Sequence, residues 1–136
     1  MAPRTTRAAT SIGPMPRRRI DPTDGLAALR RWRSDPTGTP RAAVLAAVRF
    51  SLEELGALHP GRSVEVRVPP AGAVQILPGT VHRRGTPPAV VETDMGTWLA
   101  LVVGDLDWAR AEDDGLVQAS GERAELGPYL PLFDRL

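Results

Sequence analysis

Residues 91–126 limit the folds open to this chain more than any other part of the sequence. A β-branched run ends there at Asp94, a residue type that commonly caps the N-terminus of a helix. Trp98, Leu101 and Val102 follow at positions i, i+3 and i+4, which places their side chains on one face of a helix. The pattern predicts a strand that leads directly into an amphipathic helix.

The second half of this stretch predicts a short helix and a second strand. Gly104 occupies the position where a left-handed residue commonly ends a helix, and Asp107 can cap a further helix over residues 108–114. Apolar and polar residues then alternate over residues 116–120, as in a strand with one buried face, and Gly121 ends this strand. The whole stretch therefore predicts the order strand, helix, short helix, strand.

The order of these residues resembles the central signature of the sterol carrier protein family of nonspecific lipid carriers. In that family a strand ends at an acid-rich cap, a helix runs to a G-x-L-D turn, and a short helix and a glycine-ended strand follow. Residues 104–107 match the turn, and Gly121 matches the closing glycine. The resemblance is clear over residues 91–126 and extends in outline over residues 40–133.

The resemblance implies a mostly antiparallel sheet covered by helices, with an apolar tunnel between them that takes up fatty acyl chains or sterols. The cavity would then lie between the sheet and the helix over residues 95–103. The side chains at the matching positions are apolar or aromatic, and the last three would lie near the mouth: Trp98, Leu101, Val102, Leu106, Trp108, Leu126, Leu130 and Phe133. Core packing is the competing interpretation of the two tryptophans, because large aromatic side chains are commonly buried.

Composition limits the chemistry and the compartment. The chain has 136 residues, a length typical of one domain, and it lacks cysteine, which excludes disulfides, thiolate catalysis and thiolate metal sites. No apolar run approaches the ~20 residues that a membrane-spanning helix requires, and the N-terminus lacks the apolar segment of a secretory signal. We therefore expect a cytoplasmic protein without a membrane span.

Residues 1–39 are predicted to form a basic arm with a short helix. Residues 1–41 carry nine arginines and three aspartates, whereas the remainder carries eight arginines and thirteen acids. The cluster Arg17-Arg18-Arg19 could contact phosphate, because clustered cations release counterions on binding nucleic acid. A solvated arm is the favoured interpretation, since no aromatic residues are interleaved for base stacking, and no stable nucleic-acid complex is expected.

The short helix of this region is predicted to begin after Asp21 and Pro22, a favourable cap followed by proline at the first helical position. Leu26, Leu29 and Trp32 form its apolar stripe. A helix of about 12 residues is not stable alone in water. We therefore expect it to pack on the main domain or on a partner.

Residues 40–136 are predicted to form the main domain, an α+β fold with a mostly antiparallel sheet of four or five strands covered on one face by helices. The longest helix, over residues 40–58, carries a continuous apolar face. Apolar and polar residues alternate over 63–68, and a second strand follows over 73–77 after a proline- and glycine-containing turn, which predicts an antiparallel hairpin. The segment over residues 124–136 contains two prolines that exclude a regular helix, so we expect a turn-rich or short helical closure over the pocket.

Candidate catalytic residues are few. The two histidines, His59 and His82, lie at a helix end and in a basic loop, outside any nucleophile or metal-ligand pattern. Glu92 and Asp94 are two residues apart and share a strand face, which would suit acid–base chemistry, but a helix cap and a solvated carboxylate are the simpler interpretation. We therefore expect neither catalysis nor a metal or cofactor.

The leading functional hypothesis is non-enzymatic binding or carriage of a lipid, a fatty acyl chain or another apolar small molecule. Two alternatives stay open: a protein-interaction or accessory module of the same fold without a cavity, docking through its N-terminal helix, and a nucleic-acid contact through the arginine-rich arm. Salt dependence distinguishes them, because phosphate contacts weaken steeply with salt whereas apolar binding changes little.

Overall fold

The computed structural model describes residues 20–79, 89–121 and 124–136 and has an α+β fold. In chain order its elements are α1 (Pro22–Ser34), α2 (Arg41–Leu58), β1 (Val64–Val68), β2 (Gly72–Ile76), β3 (Ala89–Thr93), α3 (Met95–Val103), α4 (Trp108–Asp113), β4 (Val117–Ser120) and a 3-10 helix (Gly127–Tyr129). The four α-helices of the described residues lie where the sequence predicts them, because local apolar spacing defines them; of their N-cap residues, Asp94 makes a side-chain capping hydrogen bond and Asp21, Pro40 and Asp107 do not. Within the described ranges, no helix combines the length and the apolar character needed to cross a membrane.

The strands of the described residues form one mixed sheet in the order β2-β1-β3-β4, so the prediction of a mostly antiparallel sheet is wrong. The pairs β1–β2 and β3–β4 are antiparallel, as the hairpin prediction requires for the first, but the central strands β1 and β3 are parallel. The hairpin returns the chain to the beginning of β1, where Val64 pairs with both Ile76 and Ala89. Because β3 pairs with the free side of β1 and starts at that same end, it runs in the direction of β1.

Side-chain character explains the strand order. Val64, Val66 and Val68 of β1 are fully buried, which suits a strand with a neighbour on each side. In contrast, β2 begins with the exposed residues Gly72 and Ala73 and suits the edge of the sheet. The other central strand is β3, whose alternate residues are buried.

Alternation along the strands divides the sheet into a buried inner face and a polar outer face. The middle row of the inner face pairs Val66 with Val74 and Val91. On either side of Val66 in β1, Glu65 and Arg67 point outward and form an ion pair of 2.8 Å. Helix α2 packs against β2 and α3, and its buried side chains join the inner valines in a single core. The helices therefore cover the inner face.

The N-terminal helix α1 packs on the main domain through α2. Leu29 and Trp32 are buried in the common core, and Leu26 is partly buried against it. Gly25 lies so close to Phe50 of α2 that a Cβ at this position would overlap the phenyl ring. The apolar stripe of α1 is thus largely covered by the chain itself, which leaves little of it for docking on a partner.

Candidate functional site

A partly open cavity of about 280 Å³ lies where the end of α3, the turn to α4 and the C-terminal segment meet. Its lining combines carbon-rich side chains with two carboxylates: Leu101, Gly104, Leu106, Asp107, Trp108, Ala109, Glu125, Gly127, Leu130 and Pro131. Small-molecule sites are typically concave and mostly apolar, with a few convergent polar groups. This cavity is therefore the candidate binding site.

The turn after α3 places one wall of the cavity. Gly104 adopts a left-handed conformation with φ of 84°, as its position in the sequence predicts. The N–H groups of Asp105 and Leu106 then donate to the carbonyl of Ala100 at 2.9 and 3.1 Å. The turn carries Leu106 to the cavity, while the neighbouring Asp105 forms an ion pair of 3.0 Å with Arg33 of α1.

Trp108, the first residue of α4, forms the aromatic wall. Its side chain is 5% exposed, and its indole N–H donates to Oε1 of Glu125 at 2.9 Å. Gly127 lies against the ring, since a Cβ there would approach Cδ1 of Trp108 to 3.4 Å. A buried indole requires a hydrogen-bond partner. Glu125 supplies it, so the ring and the carboxylate hold each other in place at the cavity.

Asp107 occupies the cap position of α4 but does not cap the helix with its side chain. Its backbone is extended, with φ −85° and ψ 143°, and its carboxylate makes no capping hydrogen bond. Asp94, at the same position of α3, does cap: it accepts from the N–H of Thr97 at 2.8 Å and from the hydroxyl of Thr97 at 2.9 Å. Of these two carboxylates, that of Asp107 lines the cavity.

The C-terminal segment closes the cavity by attaching to the last turn of α3. The carbonyl of Val102 lies in that turn, where carbonyls lack helical partners, and it accepts from the N–H groups of Leu132 and Phe133 at 3.0 and 2.9 Å. The Phe133 ring stacks on Phe50 of α2 with centroids 5.7 Å apart. These contacts hold the adjacent Leu130 at the cavity in a non-helical segment, as its prolines predict.

The residues that the sequence resemblance assigns to ligand binding fall into two groups. Those that line the cavity are Leu101, Leu106, Trp108 and Leu130. The others pack elsewhere, with Trp98, Val102 and Leu126 fully buried in the core and Phe133 stacked on Phe50. Contact of any of them with a ligand stays a prediction.

Trp98 is an example of an assigned residue that packs in the core and does not line the cavity. It is 0% exposed, and its indole N–H donates to Oγ of Ser51 in α2 at 2.8 Å. Ser51 in turn donates to the carbonyl of Val48 at 2.8 Å, so both polar groups are satisfied inside the core. The cavity at Trp108 lies at the C-terminal end of α3, whereas the resemblance implies a tunnel between that helix and the sheet.

Sequence reasoning missed several lining residues, and the reasons differ. The sequence predicts Asp107 to be a helix cap, and no local pattern indicates that its side chain lines a cavity. Glu125 is separated from its partner Trp108 by 17 positions, so no local spacing connects them. Ala109 and Gly127 are too small to be marked by an apolar pattern.

A second, more open depression of about 450 Å³ lies on the outer face of the sheet beside the β1–β2 hairpin. It is lined by Arg67, Pro69, Pro70, Gly72, Ala73 and Glu92. Glu92 thus lies on the outer face, while Asp94 is engaged as the cap of α3. The structure gives separate roles to the two acids that sequence spacing placed together.

The remaining titratable groups lie outside the cavity lining. His59 ends α2, and its ring meets Tyr129 edge-on with centroids 4.8 Å apart, whereas His82 lies outside the described residues. The pKa of the exposed Arg110 is raised, mainly by its hydrogen bond to Asp114 and further by the charge of that carboxylate. The described part of the chain contains no group of three or more His, Cys, Asp or Glu residues that could hold a metal ion.

Comparison with known proteins places the chain in a family. The model of the family described as bacterial SCP ortholog matches residues 40–132, a range that begins after α1 and includes the four described strands and all the described residues of the cavity lining. No curated protein matches the chain. Because the match spans more than half of its length, the chain belongs to the bacterial SCP ortholog family and contains a bacterial sterol-carrier-like domain.

Proposed function

We propose that this protein binds an apolar small molecule, or a segment of an acyl chain, in the cavity at Trp108 and carries it without chemical change. The observation that carries the proposal is the convergence of Leu101, Leu106 and Leu130 with the Trp108 ring on one partly open cavity. Membership of a sterol-carrier-like family supports the same class of ligand.

The volume of the cavity favours a small ligand or a short part of a larger one. Its volume of about 280 Å³ exceeds the ~150 Å³ that admits benzene and approaches the lower limit of ~300 Å³ for drug-sized sites. Only part of a long acyl chain or of a sterol would fit inside. The remainder of such a ligand would extend through the open side.

Carriage without chemistry is proposed because burial of ligand carbon is the main interaction that this lining offers. Each square ångström of apolar surface removed from water contributes about 25 cal/mol. The polar groups at the cavity are the carboxylates of Asp107 and Glu125, and the second is held by the Trp108 indole. Native mass spectrometry of the purified protein should detect a bound ligand whose mass is unchanged after prolonged incubation.

The alternative functions have weaker support. Docking on a protein partner through α1 would have to displace the contacts that bury Leu29 and Trp32. Contact with nucleic acid through Arg17, Arg18 and Arg19 stays a hypothesis, because these residues lie outside the described part of the chain. Neither alternative makes use of the cavity.

Uptake of Nile red, an uncharged fluorescent apolar probe, tests the proposal. Ala109 is exposed on α4 and lines the cavity, so Ala109→Phe should fill the site without removing core packing. We expect this variant to raise the Kd at least about tenfold, which corresponds to a loss of about 1.4 kcal/mol of binding free energy.

The same substitution at Ala73 is the matched control. Ala73 is exposed on the edge strand β2 and lines the outer depression, so Ala73→Phe should leave probe affinity unchanged. If Ala73→Phe weakens binding and Ala109→Phe does not, the site is the outer depression. If the unmodified protein takes up no apolar probe, the proposed carriage is wrong.

A further inference from the structure

We infer that the polar end of the ligand is a hydrogen-bond donor, with a cationic amine favoured over a hydroxyl and a carboxylate disfavoured. This inference rests on the proposed function, because it concerns the ligand of the same cavity. It is carried by the carboxylates of Asp107 and Glu125, which line an otherwise carbon-rich site. No basic side chain occurs among the described lining residues.

Asp107 has acceptor capacity that the fold does not use. An aspartate at a helix cap ordinarily accepts from a backbone N–H of the first turn, an interaction of about 1 kcal/mol. Asp107 makes no such bond, and within the described residues its carboxylate has no other hydrogen-bond or ion-pair partner. A carboxylate that lacks this bond and lines a cavity can accept from a bound donor.

Glu125 supplies a second acceptor in a fixed orientation. Its Oε1 accepts from the Trp108 indole N–H at 2.9 Å, which holds the carboxylate at the edge of the ring. Glycine at position 127 leaves room beside the other oxygen, since a Cβ there would lie 3.0 Å from Oε2. One oxygen thus positions the aromatic wall, and the other can receive a hydrogen bond from a ligand.

The charges around the cavity favour a cation over an anion. A carboxylate ligand would bring a third negative charge next to Asp107 and Glu125, and like charges close together disfavour ionisation and binding. An ammonium group would form a charge-assisted hydrogen bond with either carboxylate and would be attracted to the face of Trp108. Arg33 of α1 is engaged at 3.0 Å with Asp105 of the adjoining turn and is not a free counter-charge for an anion.

Calorimetric titration of the full chain with octylammonium, 1-octanol and octanoate tests this inference, because the three ligands share one apolar chain and differ in the polar end. At neutral pH and low salt we expect affinity to fall in that order, with octylammonium at least about fivefold tighter than octanoate. Added salt should reduce this ratio, since screening weakens interactions between charges.

Isosteric variants test whether the two carboxylates cause the preference for octylammonium over octanoate. The double variant Asp107→Asn, Glu125→Gln keeps an acceptor for the Trp108 indole but removes both charges, so the ratio of octylammonium to octanoate affinity should approach one. Glu92→Gln removes a carboxylate of the outer depression and should keep the wild-type ratio. Should the double variant fail to fold by circular dichroism, Asp107→Asn alone is used, because it removes no hydrogen bond seen in the described residues. In this single variant the ratio of octylammonium to octanoate affinity should fall, but by less than in the double variant.

The possible failures are distinguishable. Octanoate binding as tightly as octylammonium, or a preference that persists when the charges are removed, would overturn the inference and leave the proposed carriage intact. If none of the three ligands binds, the proposed function itself is overturned.

Discussion

Trp98 and Trp108 lie ten positions apart in the sequence, and their different surroundings give them different roles. The indole of Trp98 is sealed in the core and donates to Ser51, so it joins α3 to α2. The indole of Trp108 donates to an exposed carboxylate, that of Glu125, and presents its ring to a cavity. Both indoles have a hydrogen-bond partner, and the cavity beside Trp108 is what makes it the candidate binding residue of the two.

Substitution Ser51→Ala tests the packing role of Trp98. It removes the acceptor for a fully buried indole N–H, so the free energy of unfolding should fall by ~1–3 kcal/mol. Urea denaturation with an unchanged m-value would measure this loss. Binding of Nile red per folded molecule should not change, because neither residue lines the cavity. A cost below about 0.5 kcal/mol, the range of ordinary surface substitutions, would contradict the assigned role.

At the scale of elements, α1 belongs to the same core as the helices of the sterol-carrier-like domain, although the family match begins at residue 40. Its close approach to α2 depends on Gly25, which lies against Phe50. Helix propensity alone describes this glycine as a weak point, since glycine in a helix is less stable than alanine by ~1 kcal/mol. The close contact with Phe50 makes glycine the more favourable residue at position 25, because a larger side chain would overlap the ring.

Gly25→Ala should therefore destabilise the protein. The added methyl group would overlap the Phe50 ring, and forced overpacking costs ~1–3 kcal/mol, more than the gain in propensity. Gly96→Ala is the matched control on α3, where the new Cβ would lie an ordinary 3.6 Å from Oδ1 of Asp94. Thermal unfolding should show a lower Tm for the first variant and an equal or higher Tm for the second. Stabilisation by both would mean that α1 does not pack closely on α2.

The helices and the sheet differ in how far the sequence predicts them. Caps and apolar spacing act within a few residues, so the bounds of α3 and the left-handed Gly104 follow from local chemistry. The choice of β3 to pair with β1 depends on residues more than twenty positions apart, such as Val64 and Ala89, and no local pattern contains it. For this reason the hairpin was predicted correctly and the parallel centre of the sheet was not.

At the scale of the whole molecule, the candidate site is assembled from three segments that meet only after folding. The end of α3 contributes Leu101, the turn to α4 and the start of that helix contribute Leu106 and Trp108, and the C-terminal segment contributes Glu125 and Leu130. The apolar members are among the residues that the resemblance to sterol carrier proteins assigns to a pocket. Sequence reasoning missed the carboxylates because their position depends on hydrogen bonds and backbone turns between segments distant in the chain.

The central claim is that an apolar ligand binds at Trp108, and the indole N–H signals in a ¹H–¹⁵N NMR spectrum test it most directly. During titration with 1-octanol, the Trp108 signal should shift and saturate, because its indole borders the cavity and is bonded to Glu125. The Trp98 signal should stay in place, because its indole is buried against Ser51. A saturating shift of Trp98 with Trp108 unmoved would place the ligand between the sheet and α3 and contradict this account, as would the absence of any shift.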